Sequence, residues 1–114
     1  MKSLQIFVGT IAVVLYASVA VAADARRGEA LFMAVGCFHC HGTQAQGMNT
    51  GPTLAPNPMP LEALVNFVRS SDKTQMPAYS AKMISDADLA DIHAYLTSIK
   101  KAPSPKDLPL LNNP

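Results

Sequence analysis

The 114-residue chain has no tryptophan, and only 6% of its residues are aromatic. Charge is scarce as well, at 15% Asp, Glu, Lys and Arg, against roughly 25% in ordinary soluble domains. Apart from Lys2, the eight remaining basic residues are balanced by eight acidic ones. That balance leaves no basic excess of the kind a nucleic-acid surface needs. The length allows one small domain and excludes a large multidomain enzyme. A short chain with few aromatics has little apolar bulk for a core, so something besides side chains is expected to help fill it.

Long apolar runs are also missing, except at the start. Residues 1–23 read as an export signal to be cleaved. Lys2 supplies the positive end, the apolar stretch begins at Ile6, and Ala20-Val21-Ala22 and Val21-Ala22-Ala23 both fit the small-residue cleavage pattern. The competing reading is an uncleaved membrane anchor, since Ile6 to Ala23 is free of charge and reaches the lower edge of a membrane span. The small-residue end favours cleavage. Either way the rest of the chain is expected outside the cytoplasm, in the periplasm, where membrane association would come only through an uncleaved segment.

Cysteine occurs twice, at Cys37 and Cys40, within Cys37-Phe38-His39-Cys40-His41. A disulfide suits an exported chain, but so small a loop constrains the unfolded state little. A redox dithiol of thioredoxin type needs a βαβ setting, and the patterns around the motif are helical. Zinc would need four ligands, and no second ligand pair follows. The remaining reading is the Cys-x-x-Cys-His signature of covalent haem c. Both thiols must lie one turn apart to meet the two vinyl groups, and His41 follows directly to place an imidazole nitrogen on the iron. A tethered macrocycle would also supply the missing core.

Three helices are legible. Asp24 caps a first helix from Ala25 to about Val35, with Gly28 and Phe32 on one face and Gly28 allowing close approach of another helix. Arg26 and Arg27 oppose the dipole and are assigned only a solvated surface. A second helix begins near Pro60, placed at the first helical position, with Leu61, Leu64, Val65 and Val68 in helical spacing. The last helix has Ser85 as N-cap, Asp88 at its third position and Ile84 with Leu89 as a hydrophobic staple. Its stripe is Leu89, Ile92, Leu96 and Ile99 with Tyr95 beside it. Lys100 and Lys101 suit its C-terminal end, and Pro103 stops it. These place the domain at residues 24–101, after which 102–114 form a proline-rich tail, either unstructured or packed in extended form.

Residues 42–58 form a long loop, of the kind that is functional or disordered. Five methionines follow residue 23: Met33, Met48, Met59, Met76 and Met83. Most methionines fill cores. Met59-Pro60 competes with Met76-Pro77 as a ligand segment, but its proline is accounted for by the helix start. Met76 follows the second helix, and chain reversal there would bring it to the haem face opposite His41. His39 and His93 are assigned to the surface.

Taken together these residues resemble a class I cytochrome c of the small bacterial monohaem type. The haem motif matches, Gly51-Pro52-Thr53-Leu54 is similar to the family's Gly-Pro-x-Leu segment, and Met76-Pro77-Ala78-Tyr79 to its Met-Pro-x-aromatic segment. Gly28, Phe32 and Tyr95 fall where the family crosses its first and last helices. A second similarity is to the cytochrome subunits of flavin-dependent phenol-oxidising dehydrogenases. The resemblance implies an all-α fold of three to four helices around one covalent haem c. It implies iron ligation by His41 and Met76, and a Pro52 carbonyl that orients His41. Such support is expected of any metal-bound histidine. The expected function is one-electron transfer, not catalysis, with redox proteins as partners: a dehydrogenase donor or an oxidase acceptor. The alternatives are a haem protein with an open coordination site, for peroxide or gas chemistry, and the dithiol oxidoreductase.

Overall fold

The computed structural model describes residues 22–72, 75–102 and 105–109. The greater part of the export segment, and of the tail, lies outside the described residues. Within them the chain is helical, and its one β-type pairing is an isolated bridge between Met48 and Gly51. Four α-helices occur in order: α1 (Ala25–Ala34), α2 (Phe38–His41), α3 (Leu61–Ser70) and α4 (Asp86–Ser98). A 3-10 turn at Pro105–Asp107 follows.

The start of α1 is fixed by Asp24, whose carboxylate accepts from the backbone N–H groups of Arg26 and Arg27. Its end is fixed by Gly36, at φ 89°. There Gly36 N–H donates to Met33 O and Cys37 N–H to Phe32 O, the paired closure of a glycine-terminated helix. The helix therefore stops at Ala34, two residues short of the cysteine motif, and the chain re-enters a single helical turn that is α2.

Helices α1 and α4 cross at Gly28. A Cβ there would lie 1.9 Å from the Asp91 carbonyl oxygen, so only glycine permits the contact. Beside the crossing, Phe32 and Tyr95 rings pack with centroids 5.6 Å apart, and the Tyr95 hydroxyl donates to Thr43 O at 3.0 Å. The expectation of a purely solvated Arg27 is corrected here. Its guanidinium donates to the carboxylates of both Asp88 and Asp91 on α4, and Asp91 also accepts from Asp24 N–H at 2.7 Å.

The capping box at the head of α4 is complete: Ser85 Oγ accepts from Asp88 N–H, and Asp88 accepts from Ser85 N–H. Ile84 and Leu89, the staple pair, are both buried. Two boundaries differ from expectation. Helix α4 ends at Ser98 with Ile99 already extended, so neither the lysine pair nor Pro103 terminates it. Pro60 is the residue before α3, with ψ 146°, and not its first helical residue. In α3 the buried positions are Leu64 and Val68, while Leu61 faces out.

The long loop is more ordered than its composition suggests. Ala45 is fully buried at φ 53°, and its carbonyl accepts from both Leu54 and Ala55 N–H. This pins the loop's middle onto the core and brings residues 50–54 back alongside α2.

Candidate haem site

Between α1, α3, α4 and the returning loop lies a cavity of about 530 Å³ with largely apolar walls. Its floor is core: Phe32, Leu64, Val68, Leu89, Ile92 and Leu96 all face it. A domain this small does not leave such a volume at its centre when side chains alone complete the packing.

Cys37, Cys40 and His41 all line this cavity. The single turn of α2 is what brings them together: His41 N–H donates to Cys37 O at 3.1 Å. Both sulfurs are unpaired. Burial pushes the Cys37 thiol above its ordinary range, partly offset by a backbone hydrogen bond. The described residues hold no β-strand, so the βαβ setting of a thioredoxin-type dithiol is not found among them. Among the described residues no group of three His, Cys, Asp or Glu side chains forms a metal-holding cluster.

His41 is buried. Its Nδ1 lies 2.8 Å from Pro52 O, so the ring donates its Nδ1–H there. That fixes the tautomer and leaves Nε2 as the nitrogen able to bind a metal. Gly51 makes the approach possible, since a Cβ at that position would lie 2.6 Å from Cys40 O. Pro52 thus reaches His41 because the loop lies flat against α2.

Of the five methionines after residue 23, Met59 and Met76 line the cavity. Met48 and Met83 are more than half exposed, at 56% and 67%. Met76 packs against the core cluster, and Pro77 and Tyr79 join it on the wall. Burial, then the neighbouring Cys37 and Cys40, push the Tyr79 hydroxyl above its usual range. Met59 is held from outside, by His93 Nε2–H donating to its carbonyl at 3.0 Å. Neither His39, which stacks on Phe38, nor His93 lines the cavity. Sequence reasoning gave His93 no specific contact; a bond to a carbonyl 34 positions away leaves no local pattern.

The donor set suits a haem: two thiols one helical turn apart, an imidazole with its second nitrogen already committed, a thioether, and apolar walls for a macrocycle. An all-α frame built around such a cavity defines a small cytochrome c domain, an electron-carrying module. Residues 23–96 match the family described as cytochrome c oxidase, cbb3-type, subunit III, and the chain belongs to that family. Membership brings one covalently bound, iron-containing haem c. Comparisons with curated proteins and with solved structures gave no match.

Proposed function

We infer that the chain is a one-electron carrier of the periplasm, working free or as the small cytochrome subunit of a dehydrogenase. Cys37 and Cys40 would hold the haem through their sulfurs, and His41 Nε2 and the Met76 sulfur would bind its iron. The observation that carries this reading is the convergence of these four side chains on one apolar cavity, with His41 already oriented by Pro52 O at 2.8 Å. When bound, the haem supplies an Fe(II)/Fe(III) couple. The chain's own part is to orient and to exclude water. Pro52 holds the imidazole plane, the walls from α3 and α4 keep the interior dry, and the Met76 thioether would favour the reduced state; both of the last two would raise the potential. With His41 and Met76 both given to the iron, no open position would be left for a substrate, so bond-making chemistry is not expected.

Export is supported by the composition of residues 1–23. Partners are redox proteins that dock a donor or an acceptor near the haem edge.

The test is spectroscopic. Purified protein should show a low-spin reduced spectrum unaffected by carbon monoxide, and its mass should include one haem with both thiols consumed. Met76→Ala should open a coordination site, bind carbon monoxide and lower the potential. Wild-type protein that binds carbon monoxide rapidly, or turns over peroxide, would establish the open-site alternative. A Met76→Ala protein with an unchanged spectrum would move the sixth ligand to Met59.

A further inference from the structure

We propose that Arg69 and Ser71 are positioning residues that clamp the methionine segment in place, so that the cavity keeps its sixth ligand. This rests on the assignment of Met76 given above. The segment from Met76 to Ile84 contains no helix or strand, and apart from a local turn in which Met83 and Ile84 N–H donate to Ser80 O its backbone polar groups must be satisfied from elsewhere. The end of α3 supplies most of the partners. Tyr79 N–H donates to Val68 O at 2.9 Å. Arg69 Nη1 donates to Tyr79 O at 2.9 Å, and its Nη2 to Ile84 O at 2.8 Å and Asp86 Oδ1 at 2.5 Å. Ser71 Oγ, on a buried residue, donates to Pro77 O at 3.1 Å.

The bonds at Pro77 and Tyr79 end one and three residues beyond Met76, and those at Ile84 and Asp86 close the far end of the segment. Val68, Ser71, Pro77 and Tyr79 line the same cavity wall as Met76. A neutral thioether is a weak ligand, and it stays on a metal only if the loop carrying it is held near its bound position beforehand. That is preorganisation: the ordering cost is met by the fold and not by the bond. One guanidinium fork spans Tyr79 O, Ile84 O and the Asp86 carboxylate together, so the methionine segment is fastened to the last turn of α3 and to the head of α4 at once. Lysine, a point donor on a flexible stem, does not reproduce that geometry.

The experiment compares Arg69→Met, Arg69→Lys and Ser71→Ala in the haem-loaded full chain, with Met76→Ala as a reference. The readouts are the iron–sulfur charge-transfer absorption, the potential, the rate of carbon monoxide binding to the ferrous protein, and amide hydrogen exchange at Tyr79. Loss of a charge-assisted hydrogen bond is expected to raise loop opening about tenfold or more. Carbon monoxide binding should therefore speed up by that factor in Arg69→Met, less in Ser71→Ala, with only partial rescue by lysine. The absorption band should weaken and the potential fall. In a Met76→Ala background, Arg69→Met should leave the carbon monoxide rate unchanged, which a merely global loss of stability would not do. Folded Arg69→Met and Ser71→Ala proteins with wild-type band and rate would overturn the proposal. Should Arg69→Met not accumulate, Arg69→Lys and Ser71→Ala carry the same comparison. A Met76→Ala protein that keeps the band would instead refute the ligand assignment. The clamp is then decided by Tyr79 exchange alone: faster in the variants sustains it, unchanged overturns it.

Discussion

Replacing Gly28 by alanine sets two effects of opposite sign against each other. Helix propensity favours alanine by about 1 kcal/mol in a helix interior. The crossing opposes it, because the added Cβ would sit 1.9 Å from Asp91 O and 2.4 Å from Asp91 C. Both are backbone atoms, so no side chain can swing aside. To restore an ordinary contact of 3.4 Å the helices must part by roughly 1.5 Å. That separation would loosen the Phe32–Tyr95 ring contact and lengthen the Asp24 to Asp91 bond. Overpacking costs about 1–3 kcal/mol and sometimes more, and a backbone collision belongs at the top of that range. The net expectation is a loss of about 2 kcal/mol, or about 10 °C in melting temperature for a domain of this size. Thermal unfolding of haem-loaded Gly28→Ala, followed in the far ultraviolet, measures it. A variant as stable as the parent, or more so, would refute the crossing and leave propensity as the governing term.

Two further outcomes follow from the same contacts. Ser85→Ala removes the cap of α4, which costs about 1 kcal/mol for a capping serine. Asp88 is held at about 2 by Ser85 first and Arg27 after it, so its folded value lies below its unfolded one. Its stabilisation is full above about pH 4 and disappears as pH falls toward 2. The gap between Ser85→Ala and the parent should therefore narrow over that window in acid titrations of stability, and a gap constant with pH would contradict the assignment. Gly51→Ala would push a Cβ to 2.6 Å from Cys40 O and 3.1 Å from His41 Nδ1. It should lower the fraction of chains carrying covalent haem, read by intact mass, and a fully loaded Gly51→Ala protein would show that the loop need not lie flat on α2.

Much of this frame was legible because the signals are local. The Ser85–Asp88 box, the Gly28 and Phe32 face, the buried Leu64 and Val68 and the cysteine motif each occupy a few consecutive positions whose chemistry has few other uses. What escaped was long-range. Arg27 meets Asp88 and Asp91 across 61 and 64 positions, and Arg69 reaches carbonyls 10 and 15 positions on. No spacing rule announces such partners. Ala45 gives no signal either, since an alanine at positive φ inside a polar loop looks like filler until Leu54 and Ala55 are seen donating to its carbonyl. The end of α4 at Ser98 was misjudged because the lysines and Pro103 made a plausible stop further on, while the chain had already turned extended at Ile99.

The crossing of the first and last helices has a bearing on how the protein is made. Asp24 and Asp91 meet across 67 positions, so an emerging polypeptide cannot make this contact until α4 has followed α1 out. Contacts that distant form late. Until this one forms, the cavity wall that Cys37 and Cys40 share with Leu89, Ile92 and Leu96 of α4 is incomplete.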